Sequence, residues 1–227
     1  MLKKSYFLIG FIILLAGLAG YFYLTKFYFI PKEEKIYTAA DFPHALEKMS
    51  EETLRLSLED LNNQYQKIKE DDHVYIRWIN IGILKKRLED YKGAEKAWLD
   101  AIEYNPDQSL AFGNLADLYL FDLSEYQKAE EYYKKVLEMN PNHFNYYYGL
   151  ASLYRYNMTE KSNLIENLML DGAKINPAEA DGYYMYLAGY FYDGPSNSGG
   201  DNQEKARYYT QKTLEINPNL RDQLPKF

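Results

Sequence analysis

Between residues 75 and 218 the hydrophobic positions recur every three or four residues, the period of an amphipathic α-helix. In one set of segments, a large residue is followed three positions later by an aliphatic residue and then by a small one, as in Tyr147, Leu150 and Ala151. The pattern predicts helices over 75–87, 109–121, 144–156 and 181–192. We therefore expect an all-α fold in which these shared positions form the core.

A second helical segment follows each of these and ends at the dipeptide Asn-Pro. The stretch YKGAEKAWLDAIEYNP at 91–106 is repeated in outline by YQKAEEYYKKVLEMNP at 126–141. Proline ends a helical register because it lacks an N–H group and restricts the residue before it. The prolines are 35, 36 and 41 residues apart. Periods of this size predict stacked helical hairpins, which bury their apolar faces only against one another.

These residues give the chain a resemblance to the tetratricopeptide-repeat family. The positions that match the family's signature are Trp78, Ile81, Gly82, Tyr91, Ala94, Trp98, Ala101 and Pro106. Lys85 stands where an aromatic residue is usual, the third unit is degenerate at Ser162 and Ile165, and the fourth carries an insertion at 193–203. The resemblance implies a right-handed superhelical solenoid of about four hairpins, with repeats at about 75–108, 109–143, 144–179 and 180–220.

The chain flanking the repeats divides into further segments. We interpret 31–40 as a linker, 41–72 as an N-terminal helical cap and 73–227 as the repeat domain. Within the cap, 50–70 predicts an amphipathic helix, for which a coiled-coil dimer seam is the alternative interpretation. Only NLRDQLPKF follows the last repeat, although solenoids usually need a polar closing helix. We therefore expect a partner or a second copy to cover this uncapped C-terminal repeat, so the chain would form a homo-oligomer through it or through the 50–70 helix.

Near the N-terminus, residues 5–25 are uncharged and mostly apolar. As a helix they would span about 31 Å, close to the ~30 Å of bilayer hydrocarbon. A cleaved signal peptide is the alternative, but the apolar run exceeds the usual length for one. We therefore predict a transmembrane signal anchor over 1–30 and a single-pass membrane protein. We favour an extracytoplasmic soluble domain and leave the cytoplasmic face open.

Composition excludes several classes of chemistry. The chain has no cysteine, which removes disulfides, thiolate nucleophiles and thiolate metal sites. Its three histidines, His44, His73 and His143, show no metal-ligand spacing. We find no catalytic motif, so we expect no enzyme, no cofactor and no metal. Residues 31–227 carry 23 basic and 33 acidic groups, a net charge of −10, which argues against a nucleic-acid partner.

The remaining expectation is binding. The resemblance implies that the first helix of each repeat lines a concave groove for a protein or peptide partner. We predict a membrane-anchored scaffold for protein–protein interaction in bacterial envelope assembly, secretion or exported-protein handling. The alternative is an exported small-ligand-binding or transport accessory protein that uses the same groove. The partner-binding residues by this register are Ile79, Ile83, Lys86, Arg87, Asp117, Phe121, Asn145, Tyr148, Arg155, Tyr156, Met185 and Tyr192.

Overall fold

The structure is a computed structural model that describes residues 35–70, 73–194 and 200–227. Every regular element within these ranges is helical, as the sequence pattern predicted. The α-helices are α1 (Pro43–Lys48), α2 (Glu51–Glu70), α3 (Val74–Arg87), α4 (Tyr91–Tyr104), α5 (Leu110–Asp117), α6 (Tyr126–Met139), α7 (Phe144–Tyr156), α8 (Ile165–Ile175), α9 (Ala180–Tyr192) and α10 (Gly200–Ile216). Short 3₁₀ segments lie at Ala39–Asp41, Thr159–Leu164, Pro177–Glu179 and Pro218–Gln223.

Each Asn-Pro dipeptide ends a helix, which confirms the predicted boundaries. The asparagine forms the C-cap, and its backbone N–H donates to the carbonyl four residues earlier. These bonds run from Asn105 to Ala101 (2.9 Å), Asn140 to Val136 (2.8 Å), Asn176 to Gly172 (2.9 Å) and Asn217 to Thr213 (2.8 Å). The following proline cannot continue the helix, so the chain turns at the same place in each unit.

The helix predicted over 109–121 departs from α geometry in its last turn. After α5 the chain forms a π turn, Leu118–Asp122, in which the Leu123 N–H donates to the Leu118 carbonyl at 3.0 Å. A π turn closes over five residues, so consecutive side chains lie closer together around the axis. This geometry accommodates three consecutive buried side chains, from Leu118 to Leu120. Strict α-helical periodicity does not predict three consecutive buried residues.

Packing divides the chain into two compact units, Met1–Ala111 and Phe112–Phe227. In the first unit, α3 packs against both α2 and α4. The Trp98 ring of α4 lies over Gly82 of α3, where an added Cβ would come within 2.2 Å of the indole Nε1. That nitrogen donates to the Ile79 carbonyl at 3.2 Å. Glycine therefore allows the close approach of the two helices, and the indole fills the space.

The N-terminal part of the first unit is more closely packed than a linker would be. The Tyr37 ring stacks on Tyr65 of α2, with 5.1 Å between ring centroids. The Asn62 side chain accepts a hydrogen bond from the Tyr37 N–H (2.7 Å) and donates one to the Tyr37 carbonyl (2.9 Å). α2 also buries Leu54, Leu61 and Ile68. The stripe considered for a dimer seam is therefore already covered within this unit.

The second unit repeats the contact of a ring over a glycine. A Cβ added at Gly149 of α7 would lie 2.5 Å from the Tyr133 ring of α6. One added at Gly172 of α8 would lie 2.3 Å from the Tyr183 ring of α9. Both tyrosine rings are fully buried. In the first contact the tyrosine lies on the helix before the glycine, and in the second contact it lies on the helix after the glycine.

The C-terminal residues partly close the last hairpin, contrary to the expected uncapped repeat. After α10 the chain turns through Pro218–Gln223 and buries Leu224. The Phe227 ring then meets Tyr192 of α9 edge to face, with centroids 5.5 Å apart. Nothing in the described residues supports the predicted homo-oligomer, because both surfaces proposed for it are covered at least in part by the same chain.

The predicted localisation as a single-pass membrane protein is not supported. Within 35–70, 73–194 and 200–227, no helix is both long enough and apolar enough to cross a bilayer. The longest, α2, has sufficient length but carries charged side chains along most of it. The segment 5–25, on which the prediction of a signal anchor rested, lies outside the described residues.

The glycine contacts predict opposite effects for two alanine substitutions in the second unit. Gly149→Ala forces a methyl group against the buried Tyr133 ring, so the free energy of unfolding should fall by roughly 1–3 kcal/mol. Gly189→Ala in α9 is the control, because an added Cβ there meets nothing within 4 Å. It should raise the free energy of unfolding by about 0.5–1 kcal/mol through helix propensity. Urea denaturation of both variants checks this, and equal effects would contradict the packing described.

Candidate functional site

A row of aromatic rings crosses α7 and α9 in the second unit. Tyr148 of α7 meets Tyr186 of α9 edge to face, with centroids 5.5 Å apart. Tyr186 lies nearly parallel to Tyr190, with centroids 6.5 Å apart. Residues four apart share a helix face, so these two rings lie on the same side of α9. We refer to Tyr148, Tyr186 and Tyr190, together with Arg155 and Tyr156, as the aromatic face.

Arg155 connects the two helices of the aromatic face. Its guanidinium carbon lies 5.1 Å from the Tyr156 ring centroid and 5.5 Å from that of Tyr190. The same guanidinium donates to the Asp193 carboxylate at 3.3 Å, just beyond the end of α9. Cation–π contacts and an ion pair thus hold this arginine in place. Because Asp193 balances its charge, the site is nearly neutral as well as aromatic.

Part of the aromatic face is open to solvent. Tyr148 is 48% exposed and Tyr156 is 66% exposed, whereas Tyr186 and Tyr190 are half-buried beneath them. Burial raises the pKa of Tyr186 to about 12, so its phenol is neutral at physiological pH. Tyrosine offers a large, rigid contact area at low cost in side-chain entropy, which suits it to protein recognition.

Comparison with known protein families identifies the repeats. A tetratricopeptide repeat family model matches residues 79–143 and 118–155. This match supports a tetratricopeptide-repeat protein. It runs from within α3 to α7, includes the contact of Tyr133 in α6 with Gly149 in α7, and ends at Arg155 of the aromatic face. The comparison with curated proteins gave no match. The fourth repeat and the superhelical arrangement stay predictions.

The structure brings together three of the predicted partner-binding residues, Tyr148, Arg155 and Tyr156. Asn145 is exposed three residues before Tyr148 on α7, which places it on the same side of that helix. Met185 is half-buried and precedes Tyr186 on α9. The helices α7 and α9 therefore form a surface that carries several of the residues selected by the repeat register.

Other predicted residues of the second unit have different surroundings. The Asp117 carboxylate accepts a hydrogen bond from the Tyr133 hydroxyl at 2.6 Å, so it holds α6 against α5. Phe121 is exposed on the π turn and makes no ring contact with the aromatic face in the described residues. Tyr192 packs against Phe227, and its hydroxyl donates to the Lys226 carbonyl at 3.4 Å.

The remaining predicted residues belong to the first unit, on α3. Ile83 and Arg87 are exposed, and Lys86 is half-buried. Ile79 is only 2% exposed, so it is a core residue here and does not present its side chain to a partner. The register fails at Ile79 because this residue belongs to the contact between α3 and α4, where its carbonyl accepts the hydrogen bond from the Trp98 indole.

Sequence comparison between repeats missed Tyr186 and Tyr190. It aligned Met185 with Tyr148 and therefore selected only one residue from this part of α9. The spacing of the two tyrosines, four residues apart in a helix, was the available indication that they share a face. Their pairing with Tyr148 depends on how α7 packs beside α9, which local spacing does not fix.

A buried carboxylate fixes α7 beneath this surface. Glu130 of α6 accepts hydrogen bonds from the Tyr154 hydroxyl of α7 (2.8 Å) and from the ammonium groups of Lys134 (2.7 Å) and Lys161. Burial alone would raise the pKa of Glu130, but these three donors outweigh it and lower the pKa to about 2. The ionised carboxylate therefore joins α6, α7 and the Thr159–Leu164 turn.

This network predicts a loss of stability in acid. A carboxyl whose pKa falls from 4.5 to about 2 on folding stabilises the fold above pH 4.5, and the contribution fades as the pH drops towards 2. Glu130→Gln should therefore be destabilising at pH 6, by a margin that shrinks by about 2 kcal/mol at pH 3. Denaturant titrations at the two pH values measure this.

The control is Glu131→Gln, at the exposed residue next to Glu130. Its effect on the free energy of unfolding should be small and nearly the same at both pH values. A margin for Glu130→Gln that does not change between pH 6 and pH 3 would show that the network does not hold the carboxyl ionised.

Proposed function

We propose that this protein is a non-enzymatic scaffold that binds a protein partner, and that the aromatic face is the contact surface of its second unit. Tetratricopeptide repeats suggest a scaffold for protein–protein interaction, and the family match supports their presence. The single observation that carries the more specific proposal is the continuous contact of Tyr148, Tyr186 and Tyr190 across α7 and α9.

The chemistry of the aromatic face favours an apolar segment of a peptide. Its rings offer hydrophobic area, which contributes about 25 cal/mol per Å² removed from water. Arg155 is already paired with Asp193, so the face provides no uncompensated charge to select an ionic ligand. A helical or extended segment with aliphatic, aromatic or proline side chains would bury Tyr148 and Tyr156 while leaving the supporting rings in place.

The function predicted from the sequence also included cellular roles and a small-ligand alternative. The roles in envelope assembly, secretion and exported-protein handling depended on the membrane localisation, so they are not part of this proposal. A small ligand on the same surface is the alternative, and the binding experiment below separates it from a peptide.

Selection from a displayed library of random peptides on the intact protein tests the proposal. We expect enrichment of peptides rich in apolar side chains, and a synthetic copy of one should bind in fluorescence anisotropy. Tyr148→Ala should weaken this binding roughly tenfold or more, because central aromatic residues commonly dominate interface energies. A second variant, Tyr186→Ala, removes the ring that contacts Tyr148 and should also weaken peptide binding.

Tyr208→Ala is the matched control. Tyr208 of α10 is 53% exposed, close to the exposure of Tyr148, but it is not part of the aromatic face. Its removal should leave the affinity unchanged. Equal losses in Tyr148→Ala and Tyr208→Ala, or peptides that bind all three variants alike, would contradict the assignment. Thermal stabilisation by a small metabolite with no peptide enriched would favour the alternative.

A further inference from the structure

A pocket of about 370 Å³ lies between α10 and the residues that follow it. Its floor is formed by α10 residues spaced three and four apart, namely Arg207, Thr210 and Leu214. Arg221 and Phe227, from the residues that follow α10, form the opposite wall. The volume is sufficient for one or two side chains of a ligand, near the lower end of small-molecule sites.

The pocket exists because α10 uses only one of its faces for the fold. Ala206, Tyr209 and Thr213 are buried, and α10 packs against α9. The α10 residues between these positions therefore lie outside the face that packs against α9. The C-terminal residues then fold back, since Leu224 is buried and Phe227 packs on Tyr192. This return places a second wall opposite the free side of α10.

The pocket has an excess of positive charge without an internal partner. The Arg207 guanidinium lies 5.2 Å from the Phe227 ring centroid. Neither Arg207 nor Arg221 forms an ion pair with a carboxylate in the described part of the chain. Glu215, at the edge of the pocket, is already engaged by the Lys212 ammonium at 2.9 Å and by the Gln211 amide at 3.0 Å. Two guanidinium groups thus line a site whose acidic lining residue, Glu215, is compensated.

A buried polar atom of a lining residue also lacks a partner. The Thr210 hydroxyl is shielded from solvent and makes no hydrogen bond within the described residues. Between residues 112 and 227 the chain carries 11 basic and 16 acidic side chains, so its surroundings are acidic overall. A local positive site on an acidic unit selects an anion by direct contact, since long-range attraction is absent.

We propose that this pocket binds an acidic peptide segment of a partner. A Glu or Asp carboxylate of that segment would be held by the guanidinium groups of Arg207 and Arg221, which present planar donors suited to carboxylates. A neighbouring apolar side chain would pack against Leu214 and Phe227. The site is separate from the aromatic face in its residues and in its chemistry, so a partner could use both.

A pair of short capped peptides tests this proposal on the intact protein. One is acetyl-Gly-Leu-Glu-Leu-Gly-amide, and the other carries glutamine in place of glutamate. We expect the glutamate peptide to bind in calorimetric titration, and the glutamine peptide to bind at least tenfold more weakly, because only the carboxylate makes charge-assisted hydrogen bonds. Raising the salt concentration should weaken binding of the glutamate peptide only.

Variants assign the binding to the pocket. Arg221→Ala should weaken binding of the glutamate peptide about tenfold or more. Arg207→Lys keeps the charge but loses the planar fork, so a smaller loss is expected. Lys226→Ala is the control, because it removes a nearby basic side chain that does not line the pocket. Tyr148→Ala should leave this binding unchanged, which separates the outcome from that for the aromatic face.

Three results would overturn the proposal. The first is equal affinity for the glutamate and glutamine peptides. The second is an equal loss in Arg221→Ala and Lys226→Ala, which would indicate general electrostatic attraction. The third is the absence of binding to the intact protein at millimolar peptide. Among the described residues the Arg221 side chain makes no ion pair, and its carbonyl accepts the Leu224 N–H at 3.4 Å, a backbone bond that alanine keeps. The variant therefore tests binding without removing that contact.

Discussion

A large ring packed over a glycine joins neighbouring helices, both within a hairpin and between successive hairpins, and the rest of the structure depends on this contact. In an α-helix a side chain normally keeps a neighbouring helix at some distance, and its absence lets the partner's ring reach the backbone. The pairs are Trp98 with Gly82, Tyr133 with Gly149, and Tyr183 with Gly172. Each ring is buried, so an exchange of either member would change the distance between two helices and the direction in which their outer faces point.

Tyrosines have two roles in the second unit, and the first supports the second. Three buried tyrosines donate their hydroxyls to carboxylates: Tyr133 to Asp117, Tyr154 to Glu130 and Tyr209 to Glu166. A buried hydroxyl without such a partner would be destabilising, so these bonds allow large rings to pack inside. Exposed tyrosines on the same helices are then presented from a fixed backbone, which reduces the entropy lost when a partner binds.

Features that depend on local sequence could be predicted from the sequence. Helix positions and Asn-Pro helix ends follow from spacing and from the chemistry of proline, and they recur in each unit. Features set by distant contacts were not foreseen: the docking of Tyr37 on Tyr65, the return of Phe227 to Tyr192, and the π turn at Leu118–Asp122. The membrane localisation rested on residues that the structure does not describe, and the described helices do not support it.

The candidate site shows the same contrast between features set by local sequence and features set by tertiary packing. Tyr148, Arg155 and Tyr156 could be selected because the repeat register indicates which positions face outward. Tyr186 and Tyr190 required the packing of α7 beside α9, and Ile79 was misassigned because its side chain is buried in the core. The repeat register therefore indicates which positions are exposed at Tyr148 and Tyr156, but it does not give the tertiary packing that buries Ile79 or brings Tyr186 to Tyr148.

Tyrosine ring signals in NMR spectra of the intact protein, labelled with ¹³C at the ring ε positions, test the central claim most directly. Addition of a selected apolar peptide should shift the signals of Tyr148, Tyr156, Tyr186 and Tyr190. The signals of Tyr133 and Tyr183, which pack over glycines in the core, should remain in place. Shifts confined to Tyr208, or shared equally by the buried rings, would contradict the division between supporting and binding tyrosines.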